Sequence, residues 1–73
     1  MKKMVFSKIK KLTNKKFDEN SLISSLGVDS LDLIELVTEI ESELKIEISD
    51  EELIQIKTVL DVINLLEIKR KNN

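Results

Sequence analysis

The chain has 73 residues, 12 basic and 14 acidic side chains, and a net charge of −2. That length allows one small domain over residues 1–73, whose core supplies roughly 3–5 kcal/mol of net stability and leaves no room for a deep catalytic cleft. With no cysteine and no histidine, disulfide staples, thiolate metal sites and histidine-based nucleophilic catalysis are excluded.

The charge is strongly segregated. Residues 1–16 carry seven lysines and no acid, residues 17–57 carry twelve acids and two lysines, and residues 58–73 carry two acids and three bases, giving +7, −10 and +1. So acidic a middle repels nucleic acid, and Phe6 and Phe17 are the only aromatics available to stack on bases. The lysine-rich start is read as a solvated face. No apolar run approaches the roughly 18 residues of a membrane span, and the start lacks the apolar stretch of a secretory signal. A cytoplasmic monomer without a membrane span is expected.

With no proline and one glycine, little interrupts helices, and the apolar residues recur at helical rather than alternating spacing. The class is all-α. A first helix is predicted from about Lys2 to Lys16, with Val5, Ile9 and Leu12 on one stripe and Lys8, Lys10, Lys11 and Lys15 around the rest. From Phe17 to Asp29 the pattern fails, and turn formers alternate with the apolar anchors Phe17, Leu22, Ile23 and Leu26. Long loops in small domains are either disordered or functional; the anchors favour order.

A second helix is predicted from Asp29 or Ser30 to about Leu44. The Asp29 carboxylate is placed to accept an N–H of the first turn, and Asp29 and Asp32 complement the positive end of the helix dipole. Lys45 to Ile48 is an extended connector. Ser49 and Glu52 form a capping box that opens a short helix from about Asp50 to Gln55. Thr58 and Asp61 mark a last start, and Val59, Val62, Ile63 and Leu66 carry a helix to about Lys69, with Asn72 and Asn73 expected to fray. The architecture is a small antiparallel bundle of three longer helices and one short one, with a long first loop.

On a wheel of roughly 100° per residue, Leu33, Leu36, Val37, Ile40 and Leu44 form the core stripe of the second helix. Leu31, Ile34 and Thr38 point nearly the opposite way. Leu31 and Ile34 either tuck under the loop or the short helix, or form an apolar patch inside an acidic rim of Asp29, Asp32 and Glu35. The second arrangement suits transient basic partners, steered by the rim and held by the apolar centre.

Beside that face, Ser30 sits at the helix start with no base to activate it and no G-x-S-x-G elbow. It is therefore either a capping residue sharing duty with Asp29 or a residue that another enzyme modifies. The carboxylates lie on a convex surface with no apolar pocket to raise a pKa for acid/base work. Their spacing lacks the D-x-D-x-D-G loop of an EF-hand, so no dedicated metal site is expected.

The run Leu26-Gly27-Val28-Asp29-Ser30-Leu31-Asp32 resembles the L-G-x-D-S-L-D signature of the acyl carrier protein family. The likeness continues through Glu35-Leu36-Val37, Ile46 to Glu52 and Lys57-Thr58-Val59, and covers roughly residues 20–66. The resemblance implies a single carrier domain, not an enzyme. It implies that Ser30 bears a 4'-phosphopantetheine arm donated by coenzyme A, on which acyl groups ride as thioesters. It also implies that Asp29, Leu31, Asp32, Ile34, Glu35, Thr38 and Glu41 meet basic patches on a phosphopantetheinyl transferase and on acyl-handling synthases. Val37, Ile40, Leu44, Ile56 and Val62 would shelter an acyl chain.

Against the family's common pattern, Ser49 stands where a proline is frequent, Ser25 where an acid often precedes the signature, and Thr38 and Ser42 where a larger apolar and an acidic residue are usual. Fatty-acid or lipid synthesis is the expected pathway. A D-alanyl or other specialised carrier, or an unmodified acidic interaction module, is the alternative.

Overall fold

A computed structural model describes residues 1–71, so the expected fraying of Asn72 and Asn73 lies outside the described residues. Four α-helices follow one another: α1 Lys2–Lys10, α2 Ser30–Leu44, α3 Asp50–Ile54 and α4 Val59–Lys71, with one 3-10 turn at Ile23–Leu26 in the first loop. This is the helical bundle that the apolar periodicity predicts.

The first helix is shorter than expected. It stops at Lys10, and its end tightens into three-residue bonds, with the Leu12 N–H donating to the Ile9 carbonyl at 2.9 Å. Thr13 then leaves the helical path because its hydroxyl finds an acceptor elsewhere, the Leu26 carbonyl at 2.7 Å, while also accepting from the Lys15 N–H.

Lys8 is also a correction. Expected among the solvated lysines, it is 8% exposed, because its place on the wheel flanks the Val5–Ile9 stripe. Its stem runs over apolar surface and its ammonium donates to Glu39 and Glu43 of α2, at 2.7 and 2.9 Å. These bonds hold the Lys8 ammonium protonated above the ordinary lysine range and draw the Glu39 carboxyl below the ordinary carboxylate range.

The core joins Val5 and Ile9 of α1, Leu36 and Ile40 of α2, and Val59, Val62, Ile63 and Leu66 of α4, with Ile46 from the connector. Each fully buried Val, Leu or Ile contributes roughly 1.5–3 kcal/mol relative to leaving it exposed.

The long loop is tied to the α3–α4 connection and to the head of α4 by backbone bonds. Ile23 N–H donates to the Lys57 carbonyl (2.9 Å), Val59 N–H to Ser21 (3.1 Å) and Leu60 N–H to Glu19 (2.8 Å). Of its expected anchors, Ile23 and Leu26 are buried, and Phe17 stacks on Phe6 with ring centroids 5.1 Å apart. Leu22, by contrast, is half exposed. At Gly27 the chain takes φ +79°, which ends the 3-10 turn and aims the following residues into α2. That left-handed conformation is why glycine stands there.

The short helix α3 carries the complete reciprocal capping box of Ser49 and Glu52. Lys69 reaches the same Glu52 carboxylate at 2.7 Å, and this bond, with that from the Ser49 N–H, draws its pKa down. The start of α4 is capped alike: Asp61 accepts from the N–H groups of Lys57 and Thr58, both at 3.0 Å, while the Thr58 hydroxyl accepts from the Asp61 N–H.

Candidate functional site

Ser30 is the first residue of α2 and is exposed. Asp29 before it is extended and caps the helix: its carboxylate accepts from the Asp32 N–H at 2.9 Å and its carbonyl from the Leu33 N–H at 3.0 Å. The N–H groups of Ser30 and Leu31 have no acceptor among the described residues. Two amides at the positive end of the helix dipole therefore remain open beside the Ser30 hydroxyl.

The capping task belongs to Asp29, which leaves the Ser30 side chain without a structural bond among the described residues. The chain has no histidine to take its proton, and no hydrogen bond joins the hydroxyl to a carboxylate or an amine among the described residues. The hydroxyl is accessible and unactivated, fit to be modified by another catalyst rather than to act as a nucleophile on its own.

The second face of α2 is open to solvent. Leu31 is 71% and Ile34 48% exposed, so neither tucks under the loop or α3. Asp29, Glu35 and Thr38 are exposed around them and Asp32 is half-buried. Glu41 differs from these residues because its carboxylate accepts from the Ile48 N–H at 2.8 Å and so pins the connector after α2.

Ser30 also stands on the wall of an open groove of about 470 Å³, lined by Leu22, Ile23, Ser24, Val28, Asp29, Leu33, Ile56 and Lys57. Of the five residues expected to shelter an acyl chain, Ile56 lines this groove. Val37, Ile40 and Val62 are buried in the bundle and Leu44 packs partly against it. The groove escaped sequence reasoning because it joins the first loop to the α3–α4 connection. Leu22, exposed against expectation, is explained by it.

Among the described residues no helix is long and apolar enough to cross a membrane. Nor is any group of three or more acids there placed to hold a metal ion.

Comparison with known proteins agrees with this geometry. A family model described as "phosphopantetheine attachment site" matches residues 3–66. An acyl carrier protein homolog from Mycoplasmopsis pulmonis is 49% identical over 71 residues, covering 97% of each chain. An acyl carrier protein of Buchnera aphidicola is 44% identical over 69 residues, 94% of this chain and 86% of that one. A crystal structure of an acyl carrier protein from Thermotoga maritima superposes with a TM-score of 0.81 at 29% identity, covering 97% of this chain and 92% of that one. A structure described as "a putative acyl carrier protein" from Mycobacterium tuberculosis reaches 0.83 at 33% identity, covering 92% and 95%. With a solvent-facing serine at a helix start, no catalytic base and family matches along nearly its whole length, the chain belongs to the acyl carrier protein family, whose members are carriers bearing covalent 4'-phosphopantetheine rather than enzymes.

Proposed function

We propose that Ser30 is the attachment residue, and that residues 1–73 form one cytoplasmic carrier domain that presents thioester-bound acyl groups to enzymes of fatty-acid or lipid synthesis. The observation that carries the reading is the Ser30 hydroxyl, exposed at the mouth of a groove and relieved of capping duty by Asp29. In the transfer, its oxygen bonds to the pantetheine phosphate, the phosphoanhydride bond to the nucleotide half of coenzyme A breaks, and the hydroxyl proton passes to a base of the transferase.

The residues present fit the arm. The open amides of Ser30 and Leu31 and the dipole of α2 favour an anionic phosphodiester at that position. When bound, the arm supplies a thiol for thioester chemistry. The chain supplies the address. Leu31 and Ile34 offer apolar contact, and Asp29, Asp32, Glu35 and Thr38 a rim for basic patches on the transferase and synthases, with Glu41 at its far end.

Val37, Ile40, Leu44, Ile56 and Val62 are the proposed acyl shelter. Since three of them are closed into the core, an acyl chain enters by parting the helices, with Ile56 at the groove side. Intact mass after incubation with coenzyme A and a phosphopantetheinyl transferase tests the central point. The native chain is expected to gain one arm and Ser30→Ala none; equal gain by both overturns the assignment.

A further inference from the structure

Lys57 is the one cation lining the groove that contains Ser30. Its backbone is fixed on both sides, the carbonyl by the Ile23 N–H at 2.9 Å and the N–H by the Asp61 carboxylate at 3.0 Å. Its side chain is exposed, and its ammonium makes no hydrogen bond or ion pair among the described residues, although its charge acts on the Asp61 carboxylate that holds its backbone. A lysine anchored at the root and without a hydrogen bond at the tip therefore lines the same groove as Ser30.

The other charged side chain lining the groove is negative. Asp29 lines the groove, and Asp32 and Glu35 follow on α2. Attachment at Ser30 adds a phosphodiester, a further anion, to this rim. The dipole of α2 answers part of it, but Asp29 and Asp32 already draw on that same positive end. Lys57 is the remaining counter-charge within the groove, and a flexible four-carbon stem suits a point charge meeting a tetrahedral phosphate.

We propose that Lys57 is a positioning residue for the arm, its ammonium pairing with the phosphodiester on Ser30 and keeping the arm over the apolar lining of Leu22, Ile23, Leu33 and Ile56. The inference rests on Ser30 carrying the arm. A partner enzyme presenting its own cations competes for that phosphate, so the arm is kept between encounters and surrendered during them.

The test uses the arm-bearing protein, confirmed by intact mass, with ¹⁵N in the two arm amides, as the native chain and as Lys57→Gln and Lys57→Arg. Because the fold uses the Lys57 backbone rather than its side chain, both variants keep the bundle. At low salt the arm amides of the native protein and of Lys57→Arg are expected to show restricted motion by heteronuclear NOE, together with a displaced ³¹P resonance. Lys57→Gln is expected to lose both, matching the native protein near 1 M salt, where the screening length falls to about 3 Å. Identical ³¹P shifts and arm mobility in native and Lys57→Gln protein at low salt overturn the pairing while leaving attachment intact. A native chain that gains no arm at Ser30 overturns the attachment reading, and the pairing falls with it.

Discussion

The ammonium group of Lys8 lies 2.7 Å from the carboxylate of Glu39, joining α1 to α2 across the bundle. A second bond at 2.9 Å reaches Glu43, one turn further along the same face. Because α1 is only nine residues long, too short to be helical alone in water, contacts of this kind decide whether it stays docked.

Lys8→Ala, which removes both the ion pairs and the buried stem, is expected to cost about 1–2 kcal/mol in denaturant unfolding. Lys8→Met keeps the stem and should cost less. The pH dependence has two arms. Glu39 has its folded pKa lowered, so its stabilisation is complete above the ordinary glutamate range and fades as pH falls below about 4. Lys8 has its folded pKa raised, so its share is complete below the ordinary lysine range and is lost as pH climbs through the higher folded value. Unfolding curves of native and Lys8→Met protein should therefore converge in acid.

Asp29 combines a cap with a rim charge, and two substitutions separate the roles. Asp29→Asn keeps an acceptor for the Asp32 N–H and should leave thermal stability nearly unchanged, whereas Asp29→Ala should cost about 1 kcal/mol. If the carboxylate also steers the transferase, arm-loading kcat/KM falls for both at low salt.

Reversing the rim with Asp32→Lys and Glu35→Lys together should slow arm loading by one to two orders of magnitude at low salt, on the order expected for steered association. The difference should shrink as salt is added. Helicity by circular dichroism should hold, with a stability cost of about 0.3–1 kcal/mol from placing a positive charge at position 32, near the N-terminus of α2. Unchanged loading rates would make this face ordinary solvated surface.

Asp61→Ala removes the acceptor for two backbone N–H groups and is expected to cost about 1–2 kcal/mol. Those bonds lower the Asp61 pKa, so its contribution is full above the ordinary aspartate range and disappears as pH falls through the lower folded value. Amide exchange should quicken first at Ile23 and Val59, whose N–H groups close the seam between loop and connection.

The features legible in the sequence are those decided within a few residues. The Ser49–Glu52 box, the Asp29 cap, and the Thr58 and Asp61 start depend on spacings of three or four positions, and all stand where the pattern puts them. The two faces of α2 follow from its period alone. The early stop of α1 did not follow, because the acceptor that draws Thr13 away is the Leu26 carbonyl, thirteen positions on. The burial of Lys8 was hidden because a long amphipathic side chain at the edge of an apolar stripe can serve either environment. At the site, the Ser30 motif is local and readable, whereas the groove needs Leu22 and Ile23 brought beside Ile56 and Lys57.

The seam between the first loop and the head of α4 sets an order of events. Ser30 and its motif leave the ribosome with the first half of the chain, yet one wall of the groove is made by residues that follow more than twenty positions later. Ser21 and Ile23 find their bonding partners only in Val59 and Lys57. A nascent or C-terminally cut chain thus carries Ser30 and its motif without the far wall of the groove and without the bonds that hold Ser21 and Ile23 in place.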